Sequence, residues 1–217
     1  MPLHTIGLTS MTSGNNFYLR LVASLFMLCL GATSLPICAE ESEINTSLWT
    51  INELMHSLAQ VKESKATFVE RKHLSILKTP LEYSGTLAYS APGHLEKQTL
   101  LPKPESVVLD QDKLVVQSGA ANRKRTLSLQ DYPVVWAFVE SFRATLAGDL
   151  DALNRFYDVS LEGHAKQWLL ILRPRDAKMK NLISEIHIGG SLAQISAIET
   201  REAGGDYSVM NISQDKP

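Results

Sequence analysis

Residues 133–151, PVVWAFVESFRATLAGDLD, form the most apolar helix-like stretch of the chain, and strand-like segments lie on both sides of it. Large apolar side chains recur there at intervals of three and four residues, which is the spacing of one face of an α-helix. These side chains are Val135, Phe138, Val139, Phe142 and Leu146, and Trp136 widens the face. Glu140, Ser141 and Arg143 fall on the other side. We predict a helix whose apolar face either closes a core or covers a surface that a ligand also needs.

The predicted helix has recognisable ends. Pro133 fits the first helical position, because its missing N–H would be unpaired there in any case. Gly148 followed by Asp149 is typical of a helix end. Residues 150–156 are consistent with a second short helix that Asp149 or Asp151 caps.

An earlier helix and many strands surround this region. Residues 47–61 have a helical apolar stripe, and Thr50 with Glu53 has the spacing of a capping box. Eleven segments have strand composition or alternation: 66–77, 81–90, 94–101, 106–109, 113–117, 123–129, 157–161, 168–173, 182–188, 193–200 and 207–212. Short turns join most of these segments, so neighbouring strands should pair antiparallel. The fold class that follows is α+β, a single curled antiparallel sheet covered by a few helices.

The N-terminal region resembles a secretory signal. Residues 21–30, LVASLFMLCL, are apolar and follow Arg20, and small residues come after them. We expect residues 1–39 to be a signal peptide cleaved after Ala39, residues 40–217 to be one domain, and translation to start at Met1 or Met11. Two alternatives stay open: an uncleaved membrane anchor, or lipidation of Cys38, although Ile37 before it is larger than a lipobox usually has.

Composition limits the possible functions. Cys29 and Cys38, the chain's 2 cysteines, lie in this leader, so we expect neither disulfides nor a cysteine-based metal site in the mature protein. The net charge is −2, which argues against nucleic acid as a partner. A cysteine-free exported chain suits a bacterial periplasm.

Motifs for catalysis are not evident. The 6 histidines have no metal-ligand spacing, and no phosphate-binding or nucleophile motif occurs, so we predict no enzyme, metal site or cofactor. The carboxylate pairs Asp110/Asp112 and Asp149/Asp151 fit a turn and a helix start. The basic run Arg123–Arg125 is either a solvated strand edge or a patch for an anionic headgroup or acidic partner.

The apolar strand residues have two interpretations. They line one strand face at 81–90 and continue in later strands; those of interest are Tyr83, Leu87, Tyr89, Leu95, Leu100, Leu109, Val115, Trp168 and Leu170. In the first interpretation, they all fill the core between sheet and helices. Alternatively, a sheet curled around helices leaves an apolar cavity that takes a lipid.

Several short motifs, taken in order, resemble the periplasmic lipoprotein carrier family LolA. They span nearly all of the mature chain: Ala66–Glu70, Gly85–Leu87, Ala91–Leu95, Val107–Val115, Leu170–Pro174 and Ile195–Gly205. The chain is similar to a divergent LolA-related branch. The resemblance implies an incomplete β-barrel closed by a helical lid, whose cavity shields the acyl chains of a lipoprotein or other lipid on its way to the outer membrane.

The same resemblance implies partners and site residues. A monomer would receive acylated cargo from an inner-membrane donor and pass it to an outer-membrane acceptor. The lipid-binding residues would be the apolar strand residues above together with Val135, Trp136, Phe138, Val139, Phe142 and Leu146. The family's arginine that ties barrel to lid corresponds to Ala91, so we expect apolar packing alone to hold helix 133–151. The alternative is a structural or partner-binding periplasmic subunit with a filled core.

Overall fold

The computed structural model describes residues 49–118 and 123–214, which belong to one compact unit, Asn45–Pro217. The leader predicted at residues 1–39 lies outside the described residues. Eleven strands follow in order: β1 Glu63–His73, β2 Leu81–Ser90, β3 His94–Leu101, β4 Glu105–Asp110, β5 Lys113–Ser118, β6 Arg123–Ser128, β7 Tyr157–His164, β8 Gln167–Pro174, β9 Ile183–Ser191, β10 Gln194–Glu202 and β11 Tyr207–Gln214. Four α-helices accompany them: α1 Ile51–Ala59, α2 Pro133–Ala147, α3 Leu150–Phe156 and α4 Ala177–Lys180, with a short 3-10 helix at Leu129–Asp131.

All eleven strands form one antiparallel sheet. Their order is β6-β5-β4-β3-β2-β1-β11-β10-β9-β8-β7. The chain runs outward from the middle strand β1 to the edge β6, crosses to the other edge at β7 through the helices, and returns to β1. The two edges do not pair with each other, so the sheet remains open. The predicted α+β class with a single antiparallel sheet is confirmed.

The helix ends follow local chemistry. The Thr50 side chain accepts a hydrogen bond from the Glu53 N–H, and the Glu53 carboxylate accepts one from the Thr50 N–H at 2.7 Å, as the capping box predicts. Gly148 ends α2 with φ +67°, and a Cβ there would lie 2.1 Å from the Met55 carbonyl oxygen of α1. Glycine therefore both ends α2 and allows α1 to approach it closely.

The short helix α4 was not predicted. Pro174, Arg175 and Asp176 have turn composition and lie between the predicted strands 168–173 and 182–188. The Asp176 carboxylate instead accepts hydrogen bonds from the N–H groups of Lys178 and Met179 and begins a single helical turn. The turn buries Met179 in the core.

Helix α2 buries a different side from the one predicted. Its most buried positions carry small residues and one acid; they are Ala137, Val139, Glu140, Ser141, Ala144 and Thr145. Glu140 and Ser141 are only 5% and 0% exposed, so their predicted place on the solvent side is wrong. Small side chains let the helix approach its neighbours closely. The hydroxyls of Ser141 and Thr145 donate to helix carbonyls one turn back, which removes the cost of burying them.

The core is concentrated at one side of the sheet. The larger cluster joins α1, α2, α3 and α4 to β7–β10 and includes Leu54, Leu153, Leu170 and Ile188, each fully buried. A smaller cluster of Leu109, Leu129 and Val139 joins the start of α2 to β4. In the described part of the chain, none of the helices combines the length and apolarity needed to cross a membrane.

Candidate functional site: the inner face of β2–β6

The helices pack on one face of the sheet, which we call the inner face. On β2–β6 the strand register aligns its side chains into three rows that cross the strands. The helix-side row is Tyr89, Leu95, Leu109, Leu114 and Leu127. The middle row is Leu87, Lys97, Val107, Val116 and Arg125. The open-side row is Gly85, Thr99, Glu105, Ser118 and Arg123.

The helix-side row is entirely apolar apart from the tyrosine hydroxyl. Tyr89 and Leu109 are 4% and 2% exposed, and the other three members are half-buried. The start of α2 covers this row, because Val135, Trp136 and Val139 pack with its leucines in the smaller cluster. Burial also raises the pKa of Tyr89, so its hydroxyl stays neutral.

The middle row combines three aliphatic and two cationic side chains. Lys97 lies between Leu87 and Val107, and its Nζ is 2.6 Å from the Glu70 carboxylate of β1 and 4.9 Å from the centre of the Phe68 ring. Arg125 lies opposite Val116 on the edge strand and is exposed. The row is therefore amphipathic, and all its members except Arg125 are half-buried.

The open-side row consists of a glycine, two small hydroxyl side chains and the charged side chains of Glu105 and Arg123. Next to it lies an open groove of about 390 Å³, formed by the ends of β3, β4 and β5. Thr99, Glu105 and Ser118 of the row line this groove with Leu100, Pro104 and three outer-face residues, Gln98, Ser106 and Gln117. The groove therefore lies at the strand ends and extends beyond the inner face. The inner face of β2–β6 thus passes from apolar under α2 to polar at the opposite strand ends.

An aromatic pair lies on α2 next to the larger core cluster. Phe138 and Phe142 meet edge to face with their ring centres 5.1 Å apart, and both remain half-buried. They pack against the margin of the larger core cluster, as do Ile198 and Ile212 from the middle of the sheet. The aromatic side of α2 therefore lies at the half-buried margin of the larger cluster.

A polar contact ties α2 to the open half of the sheet. The Arg143 guanidinium donates to the Gln111 carbonyl in the β4–β5 turn at 3.2 Å and lies 2.6 Å from the Glu140 carboxylate. A Cβ on Gly93, in the β2–β3 turn, would lie 3.0 Å from the Arg143 side chain. The expectation that apolar packing alone holds this helix is wrong, because the arginine comes from the helix and reaches both turns.

The structure does not bring all the predicted lipid-binding residues together. Leu87, Tyr89, Leu95 and Leu109 belong to the rows. Tyr83 lies on the same face of β2, opposite Glu70 of β1. Six others lie on α2. Val135, Trp136 and Val139 pack against the helix-side row. Phe138, Phe142 and Leu146 pack against the larger cluster. Their role in lipid binding stays a prediction.

Four predicted residues lie elsewhere. Trp168 and Leu170 are 2% and 0% exposed inside the filled core, where Gly190 leaves room for the Trp168 ring. Val115 pairs with Val108 on the outer face, so its grouping with Leu109 is wrong. Leu100 was also misplaced: the pairing of β2 with β3 skips it at an irregularity, and it is 54% exposed.

Sequence reasoning missed several row members. The residues not proposed as site residues were Lys97, Val107, Leu114, Val116 and Leu127. Strict period-two counting from Leu95 and Leu109 would have found Lys97 and Val107. Leu114, Val116 and Leu127 needed the β4–β5–β6 register, which depends on the turns.

Residues 46–213 match a protein-family model described as outer membrane lipoprotein carrier protein LolA-like. The chain belongs to this LolA-like family. The resemblance stated from the sequence is confirmed. No curated protein matches the chain.

Solved structures that resemble this chain come from several bacteria. A LolA superfamily protein of Nitrosomonas europaea is 12% identical, with a TM-score of 0.41, and the match covers 77% of this chain and 95% of that one. A domain from Vibrio parahaemolyticus, described as an outer membrane lipoprotein-sorting protein domain, is 11% identical, with a TM-score of 0.42, and the match covers 75% of this chain and 88% of that one. MucB of Pseudomonas aeruginosa, in its complex with MucA, is 15% identical, with a TM-score of 0.41 and coverage of 76% and 54%.

Proposed function

We propose that this protein is a periplasmic carrier that shields the acyl chain of a lipoprotein or another lipid between α2 and the inner face of β2–β6. One observation carries this proposal. The helix-side row is a continuous apolar surface across five strands, and the middle row beside it is only half-buried. An acyl chain would cover the inner face of β2–β6 as the helices cover that of β7–β10.

Burial of the acyl chain supplies the affinity. Each methylene removed from water contributes about 0.8 kcal/mol, so a long chain binds without specific polar contacts. Release requires that the cover open. Helix α2 holds the open half through a small apolar cluster and the Arg143 contact, whereas the larger cluster anchors its other side. The edge over β3–β5 is therefore the part of α2 that should lift to load or release cargo.

The proposal extends to location and partners. An exported carrier would lose residues 1–39 and move monomeric in the periplasm between a donor in the inner membrane and an acceptor in the outer membrane. It would bind and transfer cargo without catalysing a reaction. In the described part of the chain, no group of three metal-ligating side chains is assembled.

A second candidate function rests on the filled core. Trp168, Leu170 and the residues around them leave β7–β10 fully packed, which favours a structural or partner-binding subunit. In that case the inner rows of β2–β6 would take a protein segment instead of a lipid, and purified protein would contain no acyl chains.

Adjacent valines on β4 provide a matched test. Val107 lies on the inner face opposite Lys97, and Val108 lies on the outer face opposite Glu96; both are half-buried. We expect extraction and mass spectrometry of the purified wild-type protein to recover acyl lipids. Val107→Glu should remove these lipids and abolish binding of a fluorescent fatty acid, whereas Val108→Glu should retain both.

Circular dichroism would check that both variants keep the sheet. Absence of acyl lipids and of fatty-acid binding in the wild-type protein would exclude the carrier. Equal loss in the two variants would show that the inner face of β4 is not the binding surface.

A further inference from the structure

The three rows on β2–β6 become more polar from the helix-side row to the open-side row. On the edge strand β6, the middle and open-side rows end in the cationic side chains of Arg125 and Arg123. We propose that this site selects an amphiphile with an anionic phosphate headgroup, which Arg123 and Arg125 bind while the acyl chain lies along the helix-side row. This inference rests on the proposed function and deepens it by naming the chemical class of the cargo.

The register places both arginines on the ligand side. Arg125 pairs with Val116 in the middle row, and Arg123 pairs with Ser118 in the open-side row. Lys124 between them pairs with Gln117 and points to the outer face. The basic run at 123–125 is therefore divided by the pleat into two inner guanidinium groups and one outer ammonium group.

The two guanidinium groups are available for an anion. Both arginines are exposed, and within residues 49–118 and 123–214 neither forms an ion pair. Lys97 differs, since its ammonium group is already paired with Glu70. Glu105 is the acid of the open-side row, and one strand, β5, separates it from β6. The two arginines thus outweigh this single acid at the edge.

Phosphate fits this pair of arginines. Residues two apart on one strand face are separated by about 6–7 Å, so two side chains can converge on one group. A planar guanidinium donates two parallel hydrogen bonds to phosphate oxygens. A phosphodiester with an uncharged alcohol keeps its net negative charge for the two arginines, whereas the ammonium group of a choline headgroup offsets that charge and is repelled by them.

The distance along the strands suits an amphiphile. From Leu95 in the helix-side row to Thr99 in the open-side row is four residues, or about 13 Å. A headgroup at Arg123 and Arg125 would therefore lie at the open strand ends, with the first methylenes over Val107 and Val116. The remaining chain would enter the leucine row under α2.

Two single-chain lipids of equal chain length test the selection. We would titrate lysophosphatidylglycerol and lysophosphatidylcholine, below their micelle concentrations, into the full mature chain at low salt. The wild-type protein should bind the glycerol lipid about tenfold more tightly, which corresponds to about 1.4 kcal/mol. Raising the salt to about 0.5 M should shrink this ratio, because the arginines are exposed.

A pair of double variants separates the two faces at equal net charge. Arg123→Gln with Arg125→Gln should bring the affinity ratio of the two lipids to about one. Lys113→Gln with Lys124→Gln removes the same charge from the outer face and should keep the tenfold preference. The single variant Arg125→Gln should lie between these results, and it provides a second measurement if the inner double variant unfolds.

The outcomes distinguish selection of the headgroup from carriage of the lipid itself. Equal affinity of the wild-type protein for both lipids would overturn the headgroup selection and leave the carrier standing. Equal loss of preference in the inner and outer double variants would also overturn it, since net charge would then explain the effect. Binding of neither lipid would overturn the carrier itself.

Discussion

The half of the sheet at β7–β10 and the half at β2–β6 share the alternation of inner and outer side chains. They differ in packing, because helices cover the inner face of the first half and leave most of the second half uncovered. On β8 and β9, the inner residues Leu170, Leu172, Ile186 and Ile188 are each 0% exposed under four helices. On β2–β6, only the helix-side row is covered, and the rows beyond it are half-buried or exposed except for Gly85 and Thr99. Alternation along a strand therefore provides an apolar face. Whether that face is buried depends on whether a helix packs over it.

Composition already differs between the halves. The inner face of β7–β9 is aliphatic and aromatic along its length, whereas that of β3–β6 includes Lys97, Glu105, Arg123 and Arg125. Charged side chains are not tolerated in a dry protein core without partners. Their presence on an inner face fits a surface that meets solvent when empty and an amphiphile when occupied.

The largest difference in the free energy of unfolding should appear when one leucine in each half is replaced by alanine. Leu170→Ala leaves a cavity in the filled core and should lower the free energy of unfolding by about 2–5 kcal/mol. Leu87→Ala in the half-buried middle row should cost less than about 1 kcal/mol. Urea denaturation of both proteins without lipid measures the difference, and similar losses would show that the two halves are equally packed.

The next effect concerns the contact that joins the halves. Arg143→Met leaves the Glu140 carboxylate, whose side chain is 6% exposed, without its cation and removes the bond to Gln111. We expect a loss of about 2–3 kcal/mol, mostly from the unpaired buried acid. Hydrogen exchange should quicken at the β4–β5 turn and hardly change in β8.

A second substitution separates these two causes. Adding Glu140→Gln to Arg143→Met removes the buried charge, so most of the stability should return while the turn still exchanges faster. If β8 exchanges faster as well, α2 does not divide the sheet into two regions as described.

A smaller effect is expected at the junction of α1 and α2. Gly148→Ala places a Cβ at φ +67° and 2.1 Å from the Met55 carbonyl oxygen, so the two helices must separate. The strain should cost about 1–2 kcal/mol. Since this contact belongs to the filled half, the melting temperature should fall while affinity for a fluorescent fatty acid stays within about twofold. Ala147→Ser, one position earlier and still helical, is the control.

The smallest effect lies on the outer face of the filled half. A hydrogen bond from His187, followed by that from Arg173, lowers the pKa of Glu185. A carboxyl whose pKa is lowered by folding stabilises the protein above its unfolded pKa, and this contribution is lost as the pH falls through the folded value. Glu185→Gln should therefore cost about 0.5 kcal/mol at pH 7 and almost nothing below about pH 3.

Thermal unfolding of the wild type and the variant across this range measures the change. Ser191→Ala, also on β9, provides the control for substitution on that strand, because the Ser191 side chain forms no hydrogen bond within residues 49–118 and 123–214. A difference that grows towards acid would contradict the assigned interaction.

Much of the fold could be predicted because its signals are local. The ends of α2 follow from Pro133 and Gly148, the capping box of α1 from Thr50 and Glu53, and β2 from its period of two. These features depend on neighbouring residues and backbone sterics. The candidate site was predicted less completely, since Val115 was assigned to the wrong face and Val116 beside it was missed.

By itself, the sequence determined the order of the elements, their antiparallel pairing and the apolar character of the strands, because period and turn chemistry act over a few residues. Only the tertiary structure decided which side of α2 is buried, where Arg143 reaches, and which half of the sheet is filled. Those outcomes depend on the register between strands and on the close approach of small residues on α2 to its neighbours. Such contacts join residues far apart in the chain, so no local pattern determines them.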